Sequence, residues 1–315
     1  KKPRDLLIQV LKMKFSIIIV LLCSTFVCGI VVGKYNYPIN QFISKIKKVT
    51  KLETSKVVKK ETSQKNKLLN KFNKCNIPKT SSLNDYPHVF VGHAYGSPSV
   101  ATFKSFLAPN IENFIRKNSS KFNSLIFTGD VFFVPSKEKW NKLRTIAGMN
   151  MKIFVAPGNH DVERPDSNEI FKMTEFGKKN YPIFTKIDDT PLVIENSVQS
   201  NWNVSDITID LINKIDNQTI IIARHNAPNK DLLTLVNSRS GMSENLRSME
   251  ELSQMFDSKK KYYWIIGDSG ANKNLPRLSC LVFQNHIFLL NGLGQIVDDS
   301  IILYRNQNFF EYVLD

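Results

Sequence analysis

Cysteine is scarce in this 315-residue chain, with four residues and no C-x-x-C pair. That excludes a disulfide-built scaffold and a structural zinc site made from paired cysteines. Glycine and proline are missing between Ile39 and Ile77, so no turn residue interrupts that stretch. Acidic residues are nearly absent from the N-terminal part. Residues 1–33 hold only Asp5 against five basic side chains, and residues 34–79 hold only Glu53 and Glu61 against thirteen lysines. The formal net charge of +15 would ordinarily suggest a nucleic-acid partner. Residues 80–315, however, hold 25 basic and 25 acidic residues, so the larger part of the chain is neutral.

What is present divides the chain into a basic segment over 1–14, an apolar run over 15–33, a lysine-rich stalk or linker over 34–79 and a domain over 80–315. The run from Phe15 to Gly33 carries no charge and is rich in Ile, Val and Leu. About 20 apolar residues span a bilayer core as a helix, so a single-pass membrane anchor is expected. A cleaved signal peptide competes, because Met13-Lys14 offers an alternative start. The run exceeds a usual signal core, though, and no A-x-A site follows. Five basic residues before the run and four soon after it leave the side of the membrane open. In the stalk, Ile39, Ile43, Ile46, Val49 and Leu52 recur at helical spacing, which fits either a solvated spacer or a helix lying on anionic lipid. Nucleic acid is not the expected partner of these lysines, since no Phe, Tyr or Trp is interleaved between Ile43 and Asn70.

Beyond Lys79, β-branched runs alternate with amphipathic stretches. Strands are predicted near 88–94, 124–128, 152–156, 191–195, 218–224, 261–266, 279–290 and 301–313. Helices are predicted near 101–118, 137–148, 167–178, 205–216 and 244–257, with Ser205 as an N-cap. This alternation defines an α/β domain, and the last two β stretches suggest an added antiparallel portion. Cys75 and Cys280 are available for one bridge if the domain is exported.

Ligands of α/β sheets collect beyond the carboxyl ends of strands, and the polar residues cluster there. His93 and Tyr95 lie in VGHAYG, Asp130 in FTGDVF, and Asn159, His160 and Asp161 in APGNHDV. His225 and Asn226 lie in IARHNAP, and Asp268 in IIGDSG. Carboxylate, imidazole and amide donors together suit Mn, Fe or Zn. Singly, a Gly-Asp after a strand reads as a turn, and a histidine after an apolar strand as a hydrogen-bonded structural residue. The GNHD block is more specific, with three ligand or acid-base side chains following a glycine.

Taken in order, these blocks resemble the calcineurin-like metallophosphoesterases, whose pattern runs D-x-H, G-D, G-N-H-(D/E), H, G-H-x-H. Two blocks depart from it. The first becomes His93-Ala94-Tyr95-Gly96, similar to purple acid phosphatases in offering a tyrosine. The last becomes Gly267-Asp268-Ser269-Gly270. The resemblance implies a four-layer α/β/β/α sandwich around two mixed sheets. It also implies one or two metal ions, held by Asp130, Asn159, His225 and Asp268 and, less completely, by His93, Tyr95 and Asp130. It implies hydrolysis of a phosphate mono- or diester by metal-activated hydroxide. In that scheme His160 donates a proton or binds phosphoryl oxygens, Asp161 orients His160 or its loop, and Asn226 and Arg224 contact a phosphorylated substrate, unless strand alternation turns Arg224 away. Loops over 162–190 and 229–248 would set specificity.

The sequence therefore supports a membrane-anchored, metal-dependent phosphohydrolase. Because two blocks are altered, it also supports a catalytically impaired relative that binds or scaffolds. A nucleic-acid phosphodiesterase docking through the stalk is a third and lesser reading.

Overall fold

The computed structural model describes residues 68–97, 101–236, 245–268, 278–292 and 299–314. One compact unit runs over Lys71–Ser238 and Asn245–Asp315. Of the other, Lys1–Asn70 with Arg239–Glu244, only residues 68–70 are described. The expected anchor over 15–33 lies outside the described residues, as does most of the expected stalk. Among the described residues no helix is long and apolar enough to cross a membrane.

Short apolar runs form the strands of two mixed sheets. In the five-stranded sheet, β2 (His88–Val91), β3 (Ser124–Phe127) and β4 (Lys152–Val155) run parallel. They are joined by crossover helices α1 (Pro109–Asn118) and α2 (Lys137–Ala147). Antiparallel β11 (Ser300–Arg305) and β12 (Asn308–Val313) complete the order β12-β11-β2-β3-β4. In the seven-stranded sheet, β6 (Thr190–Ile194), β7 (Thr219–Arg224), β8 (Lys261–Ile266) and β10 (His286–Asn291) are parallel. Antiparallel β5 (Ile183–Ile187), β9 (Leu278–Phe283) and β1 (Asn73–Cys75) extend its edges in the order β1-β9-β10-β8-β7-β6-β5.

Side chains alternate across each strand, and this stacks the layers. Phe90, Ile126 and Ile302 of one sheet share a core with Leu192, Ile221, Ile265 and Leu289 of the other. The opposite face of the five-stranded sheet, with Val89, Val91, Leu125 and Phe127, packs on Ile111 and Phe114 of α1 and Trp140 and Leu143 of α2. On the other sheet, Tyr262 and Trp264 meet Phe256, which follows α7 (Met249–Ser253), with ring centroids 5.0 and 5.7 Å apart. Each such buried side chain contributes about 1.5–3 kcal/mol. The architecture is mixed α/β with two mixed sheets face to face, in keeping with the expected sandwich.

Local chemistry moved several boundaries. The helix expected over 101–118 starts only at Pro109, with Ala108 extended (ψ 138°), because a proline disfavours helical backbone before it and suits the first helical position. The helix expected over 244–257 shortens to α7, begun by the Ser248 hydroxyl accepting from the Glu251 N–H at 3.1 Å. The helix expected over 167–178 is α4 (Pro165–Met173). Ser205 caps α5 (Asp206–Asn213) as expected, accepting from Thr208 N–H at 3.1 Å.

The last two β stretches are each a hairpin. The second turns at Asn306 and Gln307, whose φ values of 47° and 63° are those of a two-residue hairpin turn. The hairpins join different sheets, so they form no separate antiparallel portion. Helix α6 (Lys230–Val236) occupies part of an expected loop. Strand β1 precedes residue 80 yet belongs to the sheet, with Cys75 opposite Cys280 in register and disulfide-bonded to it.

Candidate active site

The carboxyl ends of β2, β3, β4, β7 and β8 bring most of the singled-out residues together. After β2 and β3 the chain turns through Gly92-His93 and Gly129-Asp130, and both non-glycine residues have φ 53°. Left-handed backbone costs about 1–2 kcal/mol per residue and, where it occurs, is concentrated at functional sites. Two glycines allow the close approach. A Cβ on Gly129, itself at φ 88°, would fall within the His225 imidazole, and one on Gly158 would fall on the Asp130 carboxylate.

Asp130 is the hub. Its Oδ2 lies 3.4 Å from His93 Nε2, its Oδ1 lies 3.4 Å from His225 Nε2, and Oδ1 also accepts the His160 backbone N–H at 3.0 Å. Burial favours the neutral acid, but His225 first, then His93 and His160, overturn that and hold the Asp130 carboxyl well below the usual range. His93 feels the converse. Burial pushes it down most strongly, and Asp130 with Asp268 outweighs this, so the net shift is upward.

The imidazoles share one arrangement. Nδ1 of His93 lies 2.9 Å from the Gly96 carbonyl, Nδ1 of His225 lies 3.0 Å from the Thr128 carbonyl, and Nδ1 of His160 lies 2.8 Å from the Phe133 carbonyl. A carbonyl can only accept, so each Nδ1 carries the hydrogen and each neutral ring presents its Nε2 lone pair. In His93 and His225 that lone pair faces a carboxylate oxygen, an arrangement relieved by a proton or a cation. His225 Nε2 and Asn226 Oδ1 have no hydrogen-bond partner although buried.

The remaining candidates lie around this hub. Asn159 and His160, both half-buried, open α3 (Asn159–Val162). Tyr95 is buried, its ring 4.4 Å from that of His93 and 5.1 Å from that of His160. Asp268 accepts from Asn226 Nδ2 at 3.0 Å, and its N–H donates to the His225 carbonyl at 2.9 Å. Asp161 braces the loop and does not orient the His160 ring. Its carboxylate accepts from Gly158 N–H at 2.9 Å and Val131 N–H at 3.2 Å. Burial and then the charge of Asp130 push Asp161 up to about 7.

Arg224, expected to touch phosphate, is buried. Nη1 donates to Glu195 Oε2, Nε to the Asn226 carbonyl and Nη2 to the Trp202 carbonyl, each at 2.7 Å. Strand alternation points it to the opposite face from His225, into the protein. It is a brace, not a substrate contact. The orienting carbonyls of Gly96, Thr128 and Phe133 have no side-chain signature in the sequence, and nothing in it pairs the Glu195 carboxylate with Arg224, 29 positions away.

Among the described residues no three or more His, Cys, Asp and Glu side chains form a ready metal-holding cluster. The six-residue ligand set is therefore not reproduced as a finished centre. The donor chemistry still fits a cation, because the Nε2 lone pairs of His93 and His225 both face the ionised Asp130 carboxylate.

No family model and no curated protein matches the chain. Among solved structures, the fold is similar to that of a purple acid phosphatase isolated from yellow lupin (Lupinus luteus) seeds. The TM-score is 0.46 and the identity 11%, over 76% of this chain and 55% of that one. The chain thus spans about half the length of that phosphatase.

Proposed function

We propose that this chain is a metal-dependent phosphohydrolase acting on a phosphate mono- or diester, anchored in a membrane through residues 15–33. The observation that carries this reading is the common tautomer of His93, His160 and His225, each fixed by a backbone carbonyl so that Nε2 is free for chemistry, two of them directed onto Asp130. Asp130, His93 and His225 would hold a metal ion, with Asn159, Asp268 and Tyr95 as further donors. Such an ion, Mn, Fe or Zn by donor type, supplies Lewis acidity and makes water nucleophilic at neutral pH.

The chain's own groups do the rest. Hydrolysis joins a water oxygen to phosphorus, breaks the bond to the leaving oxygen and leaves a proton on that oxygen. His160, anchored through Nδ1, delivers this proton from Nε2 when the ring is protonated. Asp161 keeps the Gly158 loop in place, and Arg224 fixes the segment carrying His225 and Asn226. The Cys75–Cys280 bridge supports an oxidising compartment and hence a domain on the exported side of the membrane.

The engagement of Asp268 by Asn226 favours a second reading, an impaired binding module. Metal analysis of the full chain, with 4-nitrophenyl phosphate and its bis ester as substrates, separates the two. Asp130→Asn and His225→Ala are expected to lose metal, and His160→Ala to keep metal and lose rate. Absence of Mn, Fe and Zn together with absence of hydrolysis sinks the enzyme reading.

A further inference from the structure

A cleft of about 800 Å³ opens between the β4–β5 connection and the loop after β6. One wall begins at Val162, the residue after Asp161. The other includes Asn196 and Trp202, beside Ser197, whose hydroxyl accepts the Asn226 N–H at 3.5 Å. The cleft therefore starts next to the His160–Asp161 turn and reaches, through Ser197, the backbone of Asn226, and its size suits a small organic group.

Its lining is unusual in kind. Asn168, Asn180, Asn196, Gln199 and Asn201 all lie along it; carboxamides donate and accept side by side, as vicinal hydroxyls do, although Asn196 Oδ1 already accepts the Gln199 N–H at 3.1 Å. Trp202 and Tyr181 add rings, and the Tyr181 hydroxyl is engaged by the Val155 carbonyl at 2.7 Å, which leaves the ring as wall. The charges are Lys172, Lys179 and Glu163, a balance that does not select a polyanion. So polar a lining does not suit an acyl chain.

The Trp202 wall is strained and braced. Asn201 and Trp202 have φ values of 50° and 70°. The strain is held by Trp202 N–H to the Ser197 carbonyl at 2.7 Å, and by Arg224 Nη2 on the Trp202 carbonyl at 2.7 Å. That same guanidinium holds the Asn226 carbonyl, so one buried cation registers the cleft against the site. Strain maintained by such bracing points to function.

We propose that this cleft is the leaving-group subsite and that it takes a polyhydroxylated ring, the sugar of a sugar phosphate ester, with Trp202 as its stacking face. This rests on the hydrolase reading given above.

The metal-loaded full chain is assayed on glucose 6-phosphate, adenosine monophosphate and 4-nitrophenyl phosphate, as wild type and as Gln199→Ala and Trp202→Leu. Gln199 is exposed, so its replacement does not threaten folding. In each variant the kcat/KM ratio of glucose 6-phosphate to 4-nitrophenyl phosphate is expected to fall about tenfold, chiefly through KM. A ratio that moves less than about twofold, for glucose 6-phosphate and likewise for adenosine monophosphate, whose ribose is also such a ring, overturns the sugar assignment. Free glucose binding, followed by saturation-transfer NMR, supplies the second readout. Binding lost in Trp202→Leu but without turnover by the wild type upholds the subsite and sinks the hydrolase. Aryl phosphate turnover with no glucose binding sinks the subsite alone.

Discussion

Replacing Arg224 by methionine tests whether the buried brace is structural. The guanidinium is fully buried and Glu195 is 2% exposed, so the variant strands a carboxylate that keeps the Ser205 N–H on Oε1 at 2.9 Å. Breaking a buried pair from one side costs about 3–5 kcal/mol. Two carbonyls, of Asn226 and Trp202, lose their donor as well. Against a usual total of about 5–15 kcal/mol this is a large share, and at this size it corresponds to a Tm lower by about 6–20 °C. Urea denaturation followed by circular dichroism measures it. Adding Glu195→Met removes the stranded charge, so the double variant should recover at least about 2 kcal/mol. A single variant within about 1 kcal/mol of wild type, or a double variant no more stable than the single, refutes the brace.

Two further outcomes are expected. Gly129 and Gly148 have nearly the same φ, 88° and 86°, but a Cβ meets the His225 ring at the first and nothing within 4 Å at the second. Gly148→Ala should therefore cost about 1–3 kcal/mol of backbone strain, its ψ of 151° lying in a region held almost only by glycine, and Gly129→Ala at least about 2 kcal/mol more, with lower metal content. Equal urea midpoints would contradict the close approach. His286 is buried, with Trp264 Nε1 donating to its Nδ1 at 3.0 Å, and burial pushes it down to about 4 from 6.5. The unfolded ring takes its proton first as pH falls, so stability is lost between about 6.5 and 4, by about 3 kcal/mol in all. Denaturation at both pH values should show that loss in wild type and its removal in His286→Phe.

Much of the scaffold was legible because apolar runs such as Val89–Val91, Leu125–Phe127 and Ile220–Ala223 end in glycine or polar residues, and buried parallel strands have that texture. The polar strand ends likewise placed His93, Asp130, His160 and His225 together. Strand β1 was hidden because three residues in a lysine-rich segment carry no period of their own, and its partner β9 lies more than two hundred positions away, at Cys280 opposite Cys75. Strand β5 alternates exposed and half-buried residues at a sheet edge, a weak signal beside the buried β6. Arg224 takes the second of its two readings, because neighbours on a strand point to opposite faces and His225 holds the face of the site. The tautomers of the three histidines depend on backbone carbonyls, which every residue possesses.

The disulfide at β1 has a mechanical consequence. Chain preceding Lys71 enters the seven-stranded sheet through a strand with only three paired residues, and hydrogen bonds worth about 1 kcal/mol each would peel under tension. The Cys75–Cys280 bond interrupts that peeling and hands the load to β9, which is paired along its length with β10. A pull on the chain before Lys71 therefore ends at a covalent rivet on the sheet edge, and everything between Asn76 and Ser279 is enclosed in a loop that the force does not stretch.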